Sequence, residues 1–135
     1  MFSFGEINFK IVFRDLSLGD TALMIASERG DSEIVGQLWF EGVNPDAQNE
    51  DGDTALMVTM KDFSRSPFAG IETVYNRYMA TIFGLIKYKP GPDIQNNEGK
   101  TAIELAEDLG LDSSVVDALL YLRREKERRF YMGIG

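Results

Sequence analysis

Gly19-Asp20-Thr21-Ala22-Leu23-Met24 recurs unchanged as Gly52-Asp53-Thr54-Ala55-Leu56-Met57, 33 residues further on, and returns as Gly99-Lys100-Thr101-Ala102-Ile103-Glu104 after another 47. A second motif keeps the longer step. Pro45-Asp46-Ala47-Gln48-Asn49 stands ahead of the second copy, and Pro92-Asp93-Ile94-Gln95-Asn96 stands ahead of the third. Two linked motifs displaced by one interval mark an internal repeat, and a period of a few tens of residues means stacked supersecondary units.

Each copy reads as one such unit. A Pro-Asp-x-Gln-Asn-x-x-Gly run is turn chemistry, and the Thr that follows suits the N-cap of a short helix. In copy one, Ala22, Leu23, Ile25 and Ala26 supply an apolar face, and Gly30 ends the helix in the left-handed conformation that glycine takes readily. Asp31 or Ser32 then caps a second helix, on which Ile34, Val35, Leu38 and Trp39 recur at helical spacing, and Gly42 closes the unit. Copy three repeats this order with Ala102, Ile103, Leu105 and Ala106, then Gly110, then Val115, Val116, Leu119 and Leu120. Leu23, Leu56 and Ile103 are therefore expected to be equivalent buried positions.

This pattern resembles the ankyrin repeat, a unit of 33 residues with a β-turn and two antiparallel helices that carries Thr-Pro-Leu-His-x-Ala. That signature stands here as Thr21-Ala22-Leu23-Met24-Ile25-Ala26, Thr54-Ala55-Leu56-Met57-Val58-Thr59 and Thr101-Ala102-Ile103-Glu104-Leu105-Ala106, with Ala for Pro in every copy and Met, Met and Glu for His. The resemblance covers about residues 16–122. It implies an all-α solenoid of about three helix-turn-helix repeats in a single domain: residues 19–51, 52–98 and 99–122, with an N-terminal cap over 1–18 and a basic C-terminal tail over 123–135.

Repeat two holds 14 extra residues. Pairing Leu85 with Leu38 and Ile86 with Trp39 places them before the second helix, around residues 61–77. Ser64–Gly70 reads as a loop. From Ile71 an apolar stripe through Val74, Tyr78, Ile82 and Leu85 predicts one long helix over about 71–88 that projects beyond its neighbours. Phe63, Phe68, Tyr75, Tyr78, Phe83 and Tyr88 crowd this segment. They either cover the long helix and its loop or form an aromatic anchor for a partner, with Phe68, Tyr75 and Tyr78 the anchor residues. Ile7, Phe9, Ile11 and Phe13 alternate with Asn8, Lys10 and Val12, which suggests a short extended segment that caps the stack or offers an edge to a partner.

The chain has 135 residues, the size of one domain, and neither Cys nor His. That excludes disulfides, thiolate chemistry, the Ser-His-Asp arrangement and nearly every zinc site. Asp46, Glu50, Asp51 and Asp53 crowd one turn, but an EF-hand register with Gly52 at its sixth place puts Ala47 first and Val58 twelfth, so the calcium reading fails. Glu107 and Asp108 stand without an aligned catalytic partner, and the glycines fall at repeat boundaries rather than in a phosphate loop. No enzyme activity, metal or cofactor is expected. No stretch is long and apolar enough for a bilayer, and Met1–Glu6 lacks the form of a secretory signal, so the expected compartment is the cytoplasm.

Charge is unevenly spread. Residues 19–52 hold eight acids and one base, while residues 121–135 hold five bases and two acids, within a total of −8. Such a body is unsuited to phosphate backbones or anionic membranes and suited to a basic protein. The ankyrin resemblance implies binding through turn tips and the exposed ends of first helices. By position these are Asp20, Glu28 and Arg29 in repeat one; Gln48, Glu50, Asp51, Asp53, Lys61 and Asp62 in repeat two; and Gln95, Asn97, Glu98, Lys100 and Asp108 in repeat three. Eight of these fourteen are acidic and three are basic. The expected function is a non-enzymatic protein-interaction module, whose acidic concave face steers in a basic partner, as an inhibitor or immunity-type protein of a cationic nuclease or toxin would. The alternative is an assembly role through the aromatic insertion or the terminal caps. On this reading, reversing Asp51 and Asp53 to Lys changes association and leaves folding nearly untouched.

Overall fold

The computed structural model describes residues 16–132. Among these the chain forms six helices and no strand: α1 (Leu16–Glu28), α2 (Ser32–Phe40), α3 (Ala55–Arg65), α4 (Glu72–Lys87), α5 (Ala102–Asp108) and α6 (Ser113–Tyr131). Consecutive helices pair as α1 with α2, α3 with α4 and α5 with α6. The first helices stack in one layer, α1 on α3 and α3 on α5, and the second helices in another, α2 on α4 and α4 on α6. The core lies between the layers. Leu23, Leu56 and Ile103 are 3–4% exposed at equivalent places in the first layer, and Val35, Ile82 and Val115 occupy the matching places in the second.

The caps follow from local chemistry. Asp31 accepts a hydrogen bond from the Ile34 N–H and Asp112 from that of Ser114, opening α2 and α6. Thr54 and Thr101 accept from Met57 and Glu104, and at α5 the Glu104 carboxylate reaches back to the Thr101 N–H as a full capping box. Thr21 departs from this pattern, because it falls inside α1 rather than at its start. The turn motif explains the difference. Pro-Asp-x-Gln-Asn precedes copies two and three, whereas Arg14-Asp15-Leu16-Ser17-Leu18 ahead of copy one holds neither Pro nor Asn to stop a helix from extending upstream. Residues 1–15, most of the expected N-terminal cap with its alternating segment, lie outside the described residues.

The insertion is shared by both helices of the second pair. Relative to repeat one, α3 runs four residues further, α4 starts seven residues earlier, and the connecting loop takes the remaining three. Pro67 sets the end of α3, since the residue before a proline is driven to extended backbone, and Ser66 sits at φ −69°, ψ 124°. The long α4 therefore does not project alone. Phe63 on the added turn of α3 packs against Tyr75 and Tyr78 on α4, with ring centroids at 5.8 and 5.4 Å, a small aromatic core for the extension.

Gly52 makes the closest approach to another segment's backbone among the described glycines. Its φ is +77°, and a Cβ there would stand 2.7 Å from the backbone N of Asn97 in the next turn. Gly52→Ala is expected to destabilise the protein by more than about 1 kcal/mol, because it meets both left-handed strain and a backbone clash. A urea titration checks this; an unchanged midpoint would mean the turns are not in contact.

Candidate partner-binding site

The repeated motifs build a ladder of turns. The Asn49 side-chain oxygen accepts from the N–H groups of Asp51 and Asp53, and Asn96 does the same for Glu98 and Lys100. Each Asn thus holds one turn closed. Neighbouring turns are then bonded together. The Gln48 amide donates to the carbonyls of Gly52 and Gln95, both at 2.8 Å. The Asn97 amide donates to the Glu50 carbonyl at 2.7 Å, and the Asn97 N–H to the Asp51 carbonyl at 2.9 Å. Gln95 donates within its own turn, to the Gly99 carbonyl at 3.2 Å. Gln48, Gln95 and Asn97 lie on the surface, yet their amides are already used as scaffold.

Asp53 corrects the expectation of an exposed tip. It is 2% exposed. Its carboxylate accepts a 2.6 Å bond from the Lys61 ammonium on α3 and a 3.0 Å bond from the Asn96 amide of the next turn. Burial of this acid follows from the docking of the third turn on the second, which covers the side chain and supplies Asn96, while Lys61 comes from the α3 of its own repeat. Lys61 is drawn in with it, its side chain 16% exposed. Lys100 and Asp108 form the same contact with the charges exchanged, at 2.6 Å and far more open to solvent. The Asp108 carboxylate, as hydrogen-bond acceptor and then as neighbouring charge, holds the Lys100 ammonium above its ordinary value.

Of the other expected acids, Glu28, Glu50, Asp51, Glu98 and Asp108 are exposed and Asp62 is half-buried. Glu28, Asp51 and Asp62 line a cleft of about 150 Å³ between the first and second pairs, together with Asn49, Asp53, Val58, Lys61 and Arg65. Partial burial, then the nearby Asp62 carboxylate, raise the Glu28 carboxyl above its ordinary value, and Arg29 offsets part of this. Among the described residues Glu28, Asp51 and Asp62 make no ion pair. Five of the expected site residues thus converge here: Glu28, Asp51, Asp53, Lys61 and Asp62. Gln95, Asn97, Glu98, Lys100 and Asp108 belong to the next turn and helix, Arg29 and Glu50 lie exposed outside the cleft, and Asp20 falls within α1. Asn49 and Arg65 line the cleft without having been expected. Arg65 sits one turn past Lys61, on the part of α3 that repeat one lacks.

In the aromatic set only Phe68 is well exposed, at 60%. Tyr75 and Tyr78 are half-buried, and the Tyr75 hydroxyl donates to Asp112 at 3.3 Å, tying repeat two to repeat three. Among the described residues no group of three or more acids is arranged to hold a metal, and no helix is long and apolar enough to cross a membrane.

The family model of the ankyrin repeat matches residues 18–50. An ankyrin repeat domain from Acinetobacter baumannii, solved by crystallography, superposes with a TM-score of 0.60 at 26% identity over 74% of this chain. The chain has the fold of an ankyrin-repeat solenoid. It spans 46% of the length of that solved domain. Ankyrin repeats serve in general as protein-interaction modules and are typically non-enzymatic. In this stack the bonded turns form one continuous edge, with exposed carboxylates beside it.

Proposed function

We propose that this protein is a non-enzymatic docking module whose acidic turn face holds a basic segment of a protein partner. The observation that carries the reading is the convergence of Glu28, Asp51 and Asp62, none in an ion pair among the described residues, on one cleft. Burial raises the Glu28 carboxyl most and the Asp62 charge adds to it, and a cationic side chain entering there would relieve that repulsion. With the total charge at −8, long-range attraction would speed the encounter. A compact acidic chain that covers the substrate-binding surface of a cationic enzyme, as an inhibitor or immunity-type protein, is the form this role takes best.

A fluorescent oligo-arginine peptide tests the site. Asp51→Lys with Asp62→Lys is expected to lower its association rate about tenfold and flatten the salt dependence, with the melting midpoint nearly unchanged. The pH dependence has a definite sign. Glu28 is negative above its raised value and neutral below it, so peptide binding falls as pH drops through that point, and Glu28→Gln removes this step. Equal binding by the double Lys variant would place the basic partner elsewhere.

A further inference from the structure

A second surface shares no residue with the acidic cleft. α6 is 19 residues long where α2 has 9, and Leu122 is its last buried residue. The nine residues beyond it, Arg123–Tyr131, hold five bases and two acids. Together with the Lys89–Pro92 loop they enclose a cleft of about 460 Å³, within the range of about 300–1,000 Å³ typical of ligand sites. Its floor is apolar, made by the buried Pro90, Pro92 and Leu122, and its wall is Phe130, which is 80% exposed.

The rim is basic and the loop is preset. Lys89, Lys126 and Arg129 border the cleft against Asp46 and Glu125. The Asp46 carboxylate is committed to the Gly91 N–H at 2.8 Å. Lys89 meets Glu125 only at 3.8 Å, and Lys126 meets Asp93 at 3.2 Å across open surface, pairs that a partner's carboxylates could replace at little cost. Arg129 makes no ion pair among the described residues. Lys89 also holds a left-handed backbone, φ +55°, at the position where repeat one has Gly42 at φ +85°. Among the described residues it is the sole non-glycine with positive φ. Strain of this kind clusters at functional positions, and here it falls on a residue that borders the cleft. The prolines on either side of Gly91 fix the loop in advance, which lowers the ordering cost of binding.

We propose that this cleft docks an acidic segment of a partner protein, anchored by a bulky apolar side chain in the hollow between Leu122 and Phe130. A hollow fits a side chain better than a flat bilayer or a uniform phosphate backbone does, and the three cations at its rim match the few carboxylates of a short segment. The test pans a phage-displayed library of short random peptides on the full chain. Enrichment of sequences with Asp and Glu around Phe, Leu or Trp is expected. A fluorescein-labelled peptide from that set should bind about tenfold more weakly to Phe130→Ala and to Lys89→Gly. Lys89→Gly should at the same time leave the melting midpoint unchanged or raise it, since glycine relieves the left-handed strain. A Lys89 with a merely structural role would lose stability and leave binding intact. Failure to enrich acidic sequences, or enriched peptides indifferent to both variants, would overturn the proposal. So would binding of phosphatidylserine vesicles or duplex DNA that these same variants abolish.

Discussion

Asp53→Ala is expected to destabilise the protein by about 3 kcal/mol, a large part of the roughly 5–15 kcal/mol that holds a domain of this size together. The cost comes from the partners left behind. Lys61 keeps a charge in a site that is 16% exposed, and the Asn96 amide, buried at the joint between two turns, loses its acceptor. The loss therefore weakens the bond between repeats as well as the turn itself. Repeat three supplies the control. Lys100 and Asp108, each 47 residues beyond Asp53 and Lys61, make the same pair with reversed charges. Asp53→Lys with Lys61→Asp should thus recover part of the stability lost by Asp53→Lys alone. Recovery stays partial because Asn96 would then face an ammonium in place of a carboxylate. Urea midpoints of the three variants measure this. If Asp53→Ala stayed within about 0.5 kcal/mol of the parent, as exposed substitutions do, the carboxylate would not be the buried hub described here.

That reversed pair shows where the sequence was legible and where its reading stopped. The repeat was legible because its signals are local. Gly30, Gly42, Gly52, Gly99 and Gly110 all take positive φ, and Leu23, Leu56 and Ile103 are buried in register. The fate of Asp53 was not local. Whether a turn residue meets solvent depends on the next turn docking against it, which composition and spacing do not show. A signal was nonetheless present: an acid and a base eight residues apart, exchanged between equivalent positions of two repeats, is the pattern of side chains that touch. Pro67 likewise marked the end of α3, and with it the reach of Arg65 into the cleft. Thr21 was misplaced because a motif that caps a helix behind a turn does not cap one that has no turn in front of it.

Leu56→Ala should have an effect as large, for a different reason. Leu56 is 3% exposed on α3, the first helix that stacks on both α1 and α5. Truncation removes transfer free energy and leaves a cavity between two layers, about 2–5 kcal/mol for buried leucines. In a solenoid, stability is near to a sum of repeat terms and nearest-neighbour interface terms. A change in the middle pair weakens two interfaces, whereas Ile103→Ala on α5 weakens only the interface with α3 among the described first helices. Leu56→Ala should therefore fall near the top of the range and Ile103→Ala nearer the bottom, although the two side chains are equally buried. The slope of the urea transition adds a second readout. Loss of coupling through the middle pair should let the outer pairs unfold separately, which broadens the transition and lowers its apparent slope. Equal losses for Leu56→Ala and Ile103→Ala, with both slopes unchanged, would mean that the three pairs unfold as one unit whose stability does not depend on which repeat is weakened.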